Sequence, residues 1–118
     1  MKIGCVKEIK KHEYRVGLTP SCVSTYVSHG HGVMIEEGAG SNTGFSDDEY
    51  RKAGAVIEKN KKTVFDSSEM IIKVKEPLVE EYSLFREDQI LYTYLHLAAC
   101  EDLTRELLKR KVKSVAYE

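Results

Sequence analysis

Residues 70–117 carry the sequence MIIKVKEPLVEEYSLFREDQILYTYLHLAACEDLTRELLKRKVKSVAY, in which strand-like and helical patterns alternate. The three apolar, strand-like runs are 70–75, 90–95 and 112–117. Between them lie a short helical segment, 78–85, and a longer one, 101–111. The longer segment begins with acidic residues and ends with basic ones, as the helix dipole favours. Strands that alternate with helices in this way predict a parallel sheet flanked by helices.

The first half of the chain repeats this alternation. Its strand-like runs are 1–6, 32–37 and 55–58, and its helical segments are 20–28, 49–53 and 60–68. The first helix follows Thr19, a good N-cap, starts with Pro20, and is expected to end near Gly30. The second opens on a capping box at 46–49 and is expected to end at Gly54.

The chain contains no internal repeat, low-complexity tract or linker, so these elements predict a single domain. Several of the strand-like runs are nearly all apolar, which is expected when both faces of a sheet are covered. We therefore predict an α/β fold in which helices flank an open parallel sheet. This is a three-layer arrangement of the flavodoxin-like or Rossmann-like kind.

The composition excludes several classes of protein. A length of 118 residues is that of one domain, and 42% apolar with 31% charged residues is globular rather than disordered. The net charge of −1 provides no overall field that would attract nucleic acid or an anionic membrane. The longest apolar stretch, 90–99, is about half the length needed to span a bilayer, and the N-terminus lacks a signal-peptide pattern.

The cysteines indicate a reducing compartment. The chain has three, an odd number without a C-x-x-C motif, and a domain of this size needs no disulfide. Cys5 and Cys22 lie among apolar residues and are expected to be small core side chains. Nothing marks Cys100 as a nucleophile. The expectation from this pattern is a soluble, cytoplasmic protein.

Three candidate site residues follow strand-like runs. In open parallel sheets, ligands bind outside the carboxyl ends of the strands. Arg15 lies in the charged loop after the first run, Lys75 ends the fourth, and His96 directly follows the fifth. The other charged residues of the first loop include Lys7, Lys10, Lys11 and His12. We therefore expect Arg15, Lys75 and His96 to converge on one edge of the sheet.

These residue types suit a small carboxylic acid. A guanidinium offers a planar fork and an ammonium a point charge for one carboxylate, while an imidazole can exchange a proton near neutral pH. Each residue also has an ordinary interpretation. Lys75 could be a solvated strand end, Arg15 a surface residue, and His96 a core histidine with a polar partner. The pattern alone leaves both interpretations open.

One glycine motif resembles a nucleotide-binding loop. Gly-Ala-Gly at 38–40 lies between a strand-like run and a helix, but the next glycine is Gly44, whereas the dinucleotide fingerprint requires one at position 43. The helix also begins too far away to place a pyrophosphate at its N-terminus. We interpret 38–40 as a structural loop, so no cofactor-binding residue is predicted in this chain.

The remaining motifs point to ordinary surface structure. His29 and His31 are spaced like metal ligands but lack a third ligand, so they are interpreted as a helix C-terminus and no metal site is predicted. The lysines at 59, 61 and 62 are expected on a solvated face. Walker, G-x-S-x-G and H-E-x-x-H motifs are all missing from the sequence.

At the candidate site residues the sequence resembles the alanine dehydrogenase and pyridine-nucleotide transhydrogenase family. The matching stretches are KEIKKHEYRVGLTP (7–20), EEGAGSNTGFSDDEYRKAGA (36–55), KVKEPLVEEY (73–82), LYTYLHLAACEDLT (91–104) and VAYE (115–118). They cover most of the chain in the family's order. The segment YLHLAA, 94–99, favours the alanine dehydrogenase branch, because the transhydrogenase branch does not use this histidine.

The resemblance implies a role for each candidate residue. Arg15 and Lys75 match the residues that bind the substrate carboxylate, and His96 matches the catalytic histidine. The implied reaction is the reversible oxidative deamination of L-alanine by NAD to pyruvate and ammonium. Residues 1–118 would form the N-terminal substrate domain. NAD would be bound mainly by a Rossmann domain that is absent from this chain, so the chain alone is expected to be inactive.

Two further hypotheses remain at this stage. The chain could be the corresponding domain of a transhydrogenase-type subunit, or a stand-alone binding or assembly module. The expected partners are the small-molecule substrate and either further copies of the chain or a nucleotide-binding part. Loss of a companion domain would expose apolar surface and favour such association.

Overall fold

The computed structural model describes all 118 residues and contains one six-stranded sheet. The strands are β1 (Lys2–Cys5), β2 (Gly32–Glu36), β3 (Val56–Glu58), β4 (Met70–Ile72), β5 (Ile90–Thr93) and β6 (Lys113–Ala116). The α-helices are α1 (Pro20–Ser28), α2 (Asp47–Lys52), α3 (Lys61–Ser67), α4 (Val79–Tyr82) and α5 (Glu101–Lys109). The strand order is β3-β2-β1-β4-β5-β6 and every neighbouring pair is parallel, which confirms the predicted open α/β fold.

The first two helices, α1 and α2, begin and end where their capping residues predict. The Thr19 side chain accepts a hydrogen bond from the backbone N–H of Cys22 at 3.2 Å. Both halves of the capping box between Ser46 and Glu49 are present at the start of α2. Gly30 and Gly54 follow α1 and α2 with φ values of 86° and 106°. Glycine adopts this left-handed conformation at little cost, so it suits both helix ends.

Both faces of the sheet are packed. One core cluster joins the strands to α1 and α2, and its members include Ile3, Cys5, Val23, Ile35, Tyr50 and Ile72. The other joins them to α3 and α5, and its members include Val6, Phe65, Ile71, Leu91, Leu103 and Leu107. Helices therefore cover both sides of the sheet, and the three-layer prediction is confirmed. No helix is long and apolar enough to cross a bilayer.

Three expectations about the cysteines and the element bounds were wrong in detail. Cys22 is exposed rather than in the core, because α1 buries only the neighbouring Val23 and turns Cys22 towards solvent. The helix expected over 78–85 is limited to α4, and the chain then turns so that Phe85 packs in the core. The strand expected over 70–75 ends at Ile72. The N–H of Lys73 still donates to the Tyr92 carbonyl, but the N–H groups of Val74 and Lys75 donate to a carboxylate.

That carboxylate belongs to Glu8, which is part of a buried ion cluster formed by Glu8, Lys61, Lys73 and Glu81. Lys73 Nζ lies 3.4 Å from Glu8 and 3.3 Å from Glu81, and none of these three side chains is more than 2% exposed. Lys61 lies 3.2 Å from Glu81. The lysines at 59 and 62 are exposed as expected, but Lys61 is not on a solvated face. Lys61 also lies 3.8 Å from a third carboxylate, that of Glu36, so the two cations have three carboxylate partners.

The ion cluster lies beside the topological switch point of the sheet. The chain winds outward in opposite directions from β1 and β4, which are neighbours. Such a point leaves a crevice outside the carboxyl ends of the two strands, where α/β proteins bind their ligands. Glu8 follows β1 and Lys73 follows β4, so the cluster ties together the two strand ends that border this crevice.

We expect Lys73→Met to destabilise the chain by about 3 kcal/mol, because it leaves the buried carboxylate of Glu8 without a cation and leaves Glu81 with Lys61 alone. Lys62→Met is the matched control. Lys62 pairs with Asp66 on the surface of α3, where both side chains are more than half exposed, so its loss should cost no more than about 0.5 kcal/mol. Urea denaturation of both variants measures these values. Equal costs for the two substitutions would contradict a structural role for the cluster.

Candidate functional site

The three predicted site residues follow three neighbouring strands. Arg15 lies in the loop after β1, Lys75 follows β4 and His96 follows β5. These strands are adjacent in the sheet, in the order β1-β4-β5. We call their ends the carboxyl edge of the sheet. The topology therefore brings the three residues to the same edge, beside the switch point.

Lys75 is held by its backbone on both sides. Its N–H donates to Glu8 Oε1 at 2.9 Å, and its carbonyl oxygen accepts from Thr93 Oγ1 at 3.0 Å. The N–H of Val74 donates to the other Glu8 oxygen at 3.1 Å. Lys75 is thus fixed between the loop that follows β1 and the end of β5. Its side chain takes no part in these bonds and is half-buried.

Arg15 is paired with a carboxylate two residues earlier. Its Nη2 and Nε donate to the two oxygens of Glu13 at 2.7 and 3.0 Å, and its backbone N–H donates to the same carboxylate at 2.9 Å. The hydrogen bonds from the Arg15 side chain lower the pKa of Glu13 to about 2, and the positive charge of Lys75 contributes to that shift. Glu13 therefore lies within electrostatic reach of both cations.

His96 has an unusual backbone conformation. Its φ and ψ are 51° and 37°, in the left-handed region, which costs a residue with a Cβ about 1–2 kcal/mol. It lies directly before a 3₁₀ turn, Leu97–Ala99, and its ring centroid is 6.4 Å from that of Tyr94. The side chain is exposed, so the alternative interpretation of His96 as a core histidine was wrong.

A cavity of about 320 Å³ opens next to these residues. Its lining residues are Arg15, Val16, Gly17, Thr19, Thr43, Phe45, Val74, Tyr94 and Tyr117. Lys75 and His96 are not among them, although each lies within two residues of a lining residue, Val74 or Tyr94. The cavity combines aromatic walls with one exposed guanidinium, which is a composition that suits a small organic acid.

The glycine loop at 38–40 is filled by the protein's own side chains. A Cβ at Gly40 would lie 2.7 Å from the ring of Tyr50, and the N–H of Gly38 donates to Asp47 at 2.9 Å. The helix that follows, α2, has only six residues. These contacts confirm the structural interpretation of the loop, and they leave no cradle for a pyrophosphate.

The two histidines of the apparent metal pair have separate partners. His29 is the C-cap of α1, as expected, and its Nδ1 lies 2.8 Å from the Thr25 carbonyl oxygen. His31 Nδ1 lies 3.0 Å from the N-terminal amine. The chain contains no group of three histidine, cysteine or acidic side chains arranged to hold a metal ion.

Sequence reasoning missed the carboxylates that hold the site residues in place. Glu8 bonds the backbone of Lys75, Glu13 that of Arg15, and Glu118 that of His96. One signal was available for the first of these. A lysine inside an apolar strand-like run, as at Lys73, requires a buried acidic partner. The run itself does not show which acid that partner is.

We expect an NMR titration of the Glu13 carboxyl carbon to have its midpoint at about 2 instead of the ordinary 4.5. Because the pKa of Glu13 is lower in the folded chain than in the unfolded chain, the Glu13–Arg15 pair stabilises the fold fully above pH 4.5. This stabilisation is lost as the pH falls towards 2. Arg15→Ala should return the midpoint towards 4.5. Arg51→Ala, which removes a surface pair with Asp48, should leave it unchanged. A Glu13 midpoint near 4.5 in the unaltered chain would contradict the Arg15 pairing.

The sequence of this chain is similar to those of known proteins. A model of the family "Alanine dehydrogenase/PNT, N-terminal domain" matches residues 4–118. The chain is 54% identical over 118 residues to the alanine dehydrogenase of Methanococcus maripaludis. It is 52% identical to alanine dehydrogenase 2 of Staphylococcus aureus strain Mu50. Each match covers 100% of this chain and 32% of the relative, so the chain spans about a third of these proteins.

Solved structures agree with this result. An L-alanine dehydrogenase matches with a TM-score of 0.97 and 51% identity, over 100% of this chain and 32% of that protein. A transhydrogenase from Sinorhizobium meliloti matches with a TM-score of 0.91 and 25% identity, over 98% of this chain and 34% of that one. Together with the family match over residues 4–118, these similarities show that the chain belongs to the alanine dehydrogenase/PNT N-terminal domain family.

Proposed function

We propose that this chain is the substrate-binding part of an NAD-dependent L-alanine dehydrogenase. The proposed reaction converts L-alanine, NAD and water reversibly into pyruvate, ammonium and NADH. The observation that carries the proposal is the placement of Arg15, Lys75 and His96 after three adjacent strands at the carboxyl edge. Identities of 52–54% to proteins named alanine dehydrogenase, against 25% to a transhydrogenase, support this reaction over the alternative.

The two cations would bind the substrate carboxylate. Arg15 already binds a carboxylate, that of Glu13, through two parallel N–H bonds, and its side chain remains 61% exposed. A second carboxylate can therefore approach the open side of the guanidinium. Lys75 adds a point charge from the neighbouring strand. Two fixed contacts of this kind orient the substrate, and orientation alone can supply several kcal/mol of catalysis.

His96 would move protons during deamination. After the substrate amine has been oxidised to a protonated imine, a water molecule adds to Cα, and the imidazole accepts one proton from that water. The imidazole then returns this proton to the nitrogen. As the C–N bond breaks, the remaining hydroxyl proton passes to the imidazole, so that ammonia leaves and the carbonyl of pyruvate forms. The exposed position of His96 at the carboxyl edge is compatible with this exchange.

The proposal places the NAD site outside these 118 residues. The one loop that resembles a dinucleotide fingerprint is occupied by Tyr50 and tied to Asp47, so it does not fit a pyrophosphate. We accordingly expect the isolated chain to show no NAD turnover. The proposal also includes a cytoplasmic location, which the three free cysteines support.

We expect His96→Ala to lower kcat by at least about 100-fold, because it removes the proposed acid and base. The assay uses a chimera in which residues 1–118 replace the matching part of the Methanococcus maripaludis enzyme, to which they are 54% identical. Pyruvate-dependent oxidation of NADH is measured. His29→Ala is the control, because His29 lies at the C-terminus of α1 and bonds only within that region. A His96→Ala chimera with near-normal kcat would refute the assignment.

We expect Arg15→Ala and Lys75→Ala to raise the KM for pyruvate by about 10-fold or more, because each removes a charge-assisted hydrogen bond to the carboxylate. Lys11→Ala, in the same loop as Arg15, is the control. Steady-state kinetics of the chimera measures the effect. If both variants kept the KM for pyruvate, the alternative of a transhydrogenase-type domain would be favoured.

We further propose that the chain associates with itself or with a nucleotide-binding part. All four residues of β6, at the edge of the sheet, are exposed, and Val115 and Tyr117 are 49% and 38% exposed. Unpaired edge strands with apolar side chains favour association.

We expect sedimentation velocity to detect species larger than the 13.4 kDa monomer. Val115→Lys should shift them towards the monomer, because it places a charge on the exposed edge. Val79→Lys, at a 73% exposed position on α4, should not. If the unaltered chain stays monomeric at high concentration, self-association through β6 is excluded.

A further inference from the structure

The backbone just before the 3₁₀ turn is bound by one carboxylate. Glu118 Oε1 accepts hydrogen bonds from the N–H groups of Leu95 and His96, both at 2.9 Å. Its other oxygen lies 3.2 Å from the N–H of Leu95. Glu118 is 22 residues further along the chain than His96, so this contact is tertiary rather than local.

These two N–H groups lie beyond the sheet's own hydrogen bonds. β5 ends at Thr93, and the N–H of Tyr94 still donates to the Val74 carbonyl at 3.1 Å. The N–H groups of Leu95 and His96 have no backbone acceptor, so Glu118 supplies one. The left-handed conformation of His96 is unfavourable for a residue with a Cβ and persists only where surrounding contacts hold it.

Glu118 is itself attached to a regular element. It follows β6, and the N–H of the preceding Tyr117 donates to the Thr93 carbonyl at 3.1 Å. The Tyr117 ring packs against Tyr92 and Tyr94, with ring centroids 4.4 and 4.8 Å apart. The carboxylate is therefore presented from the end of a strand that is paired with β5. Site residues supported by such elements are held more accurately than residues in free loops.

The same arrangement occurs at the other two site residues. Glu8 accepts from the N–H of Lys75 and Glu13 from the N–H of Arg15, each at 2.9 Å. In all three cases a carboxylate bonds the backbone N–H of the residue. The side chains of Lys75 and His96 stay free of that carboxylate, whereas the Arg15 side chain also donates to Glu13. The contact at His96 is thus the third case at the carboxyl edge in which a carboxylate accepts the backbone N–H of a predicted site residue.

We propose that Glu118 is a positioning residue: it holds the left-handed backbone of His96 and thereby sets the direction of the imidazole at the carboxyl edge. This inference rests on the proposed function of His96. It assigns no chemical step to Glu118, whose contacts are to backbone N–H groups alone. A charge-assisted hydrogen bond is stronger than one to a neutral acceptor, so replacement of Glu118 by glutamine should loosen this segment without removing its shape.

The first test uses the chain itself. In the unaltered protein the amide protons of Leu95 and His96 should be shifted downfield in NMR spectra and should exchange slowly with solvent. Glu118→Gln should move both resonances upfield and speed their exchange. Glu87→Gln, which removes a surface pair with Lys111, is the control and should change neither. Fast exchange of the His96 amide in the unaltered chain would overturn the proposal without any variant.

The second test uses the chimera and separates kcat from KM. Glu118→Gln should lower kcat by about 10-fold or more, since small misplacement of a catalytic group is costly, and should leave the KM for pyruvate within about 2-fold. The double variant with His96→Ala should be no slower than His96→Ala alone, because Glu118 acts only through His96. If Glu118→Gln fails to fold, Glu118→Asp should show the same loss of kcat, because the shorter side chain moves the carboxylate away from the N–H groups of Leu95 and His96.

The outcomes distinguish the two proposals. If His96→Ala retains activity, the proposed function of His96 fails. If His96→Ala abolishes activity but Glu118→Gln keeps a normal kcat, the proposed function stands and the positioning role of Glu118 is wrong. Additive losses in the double variant would likewise exclude an action of Glu118 through His96.

Discussion

The carboxylate of Glu8 joins the two strand ends on which the rest of the site is built. It accepts the N–H groups of Val74 and Lys75 and lies 3.4 Å from the ammonium of Lys73. These contacts connect the loop after β1 to the end of β4, across the switch point of the sheet. Because the groups are buried, no water can replace a missing partner, and each ion depends on the others. These contacts therefore fix the backbone that borders the crevice.

At the carboxyl edge, backbone contacts hold the residues that we propose contact the substrate. Arg15, Lys75 and His96 are each fixed by a carboxylate at the backbone N–H. Lys75 and His96 keep their side chains free of these carboxylates, whereas the Arg15 side chain shares the Glu13 carboxylate that binds its backbone. This pairing holds the pKa of Glu13 at about 2, so the carboxylate stays charged beside the cation across the physiological range. The Glu13 contact thereby orients the guanidinium in the free chain, which in the proposed function would lower the entropic cost of binding the substrate.

The local structure followed from short-range chemistry. The capping box at 46–49, the Thr19 cap and the glycines at 30 and 54 ended or started helices as predicted, because each acts on neighbours within a few residues. The apolar runs predicted the strands, and their alternation with helices predicted parallel pairing. Errors arose where a distant partner competed with local preference. The strand at 70–75 ended early where Glu8, more than 60 residues away, accepts the N–H groups of Val74 and Lys75.

The sequence by itself determined the class of fold, the family and the identity of the three side chains at the carboxyl edge, since periodicity, caps and motifs lie within short stretches. Only the tertiary structure decided the strand order, the burial of Lys73, the partial burial of Lys61, and the carboxylates that hold each predicted site residue. The carboxylate contacts join residues between 2 and 67 positions apart. The sequence does not show which opposite charge a given charged residue will pair with. The fold decides the partner, because a buried ion or N–H group needs a hydrogen-bond partner and the sheet determines which groups lie close enough to bond.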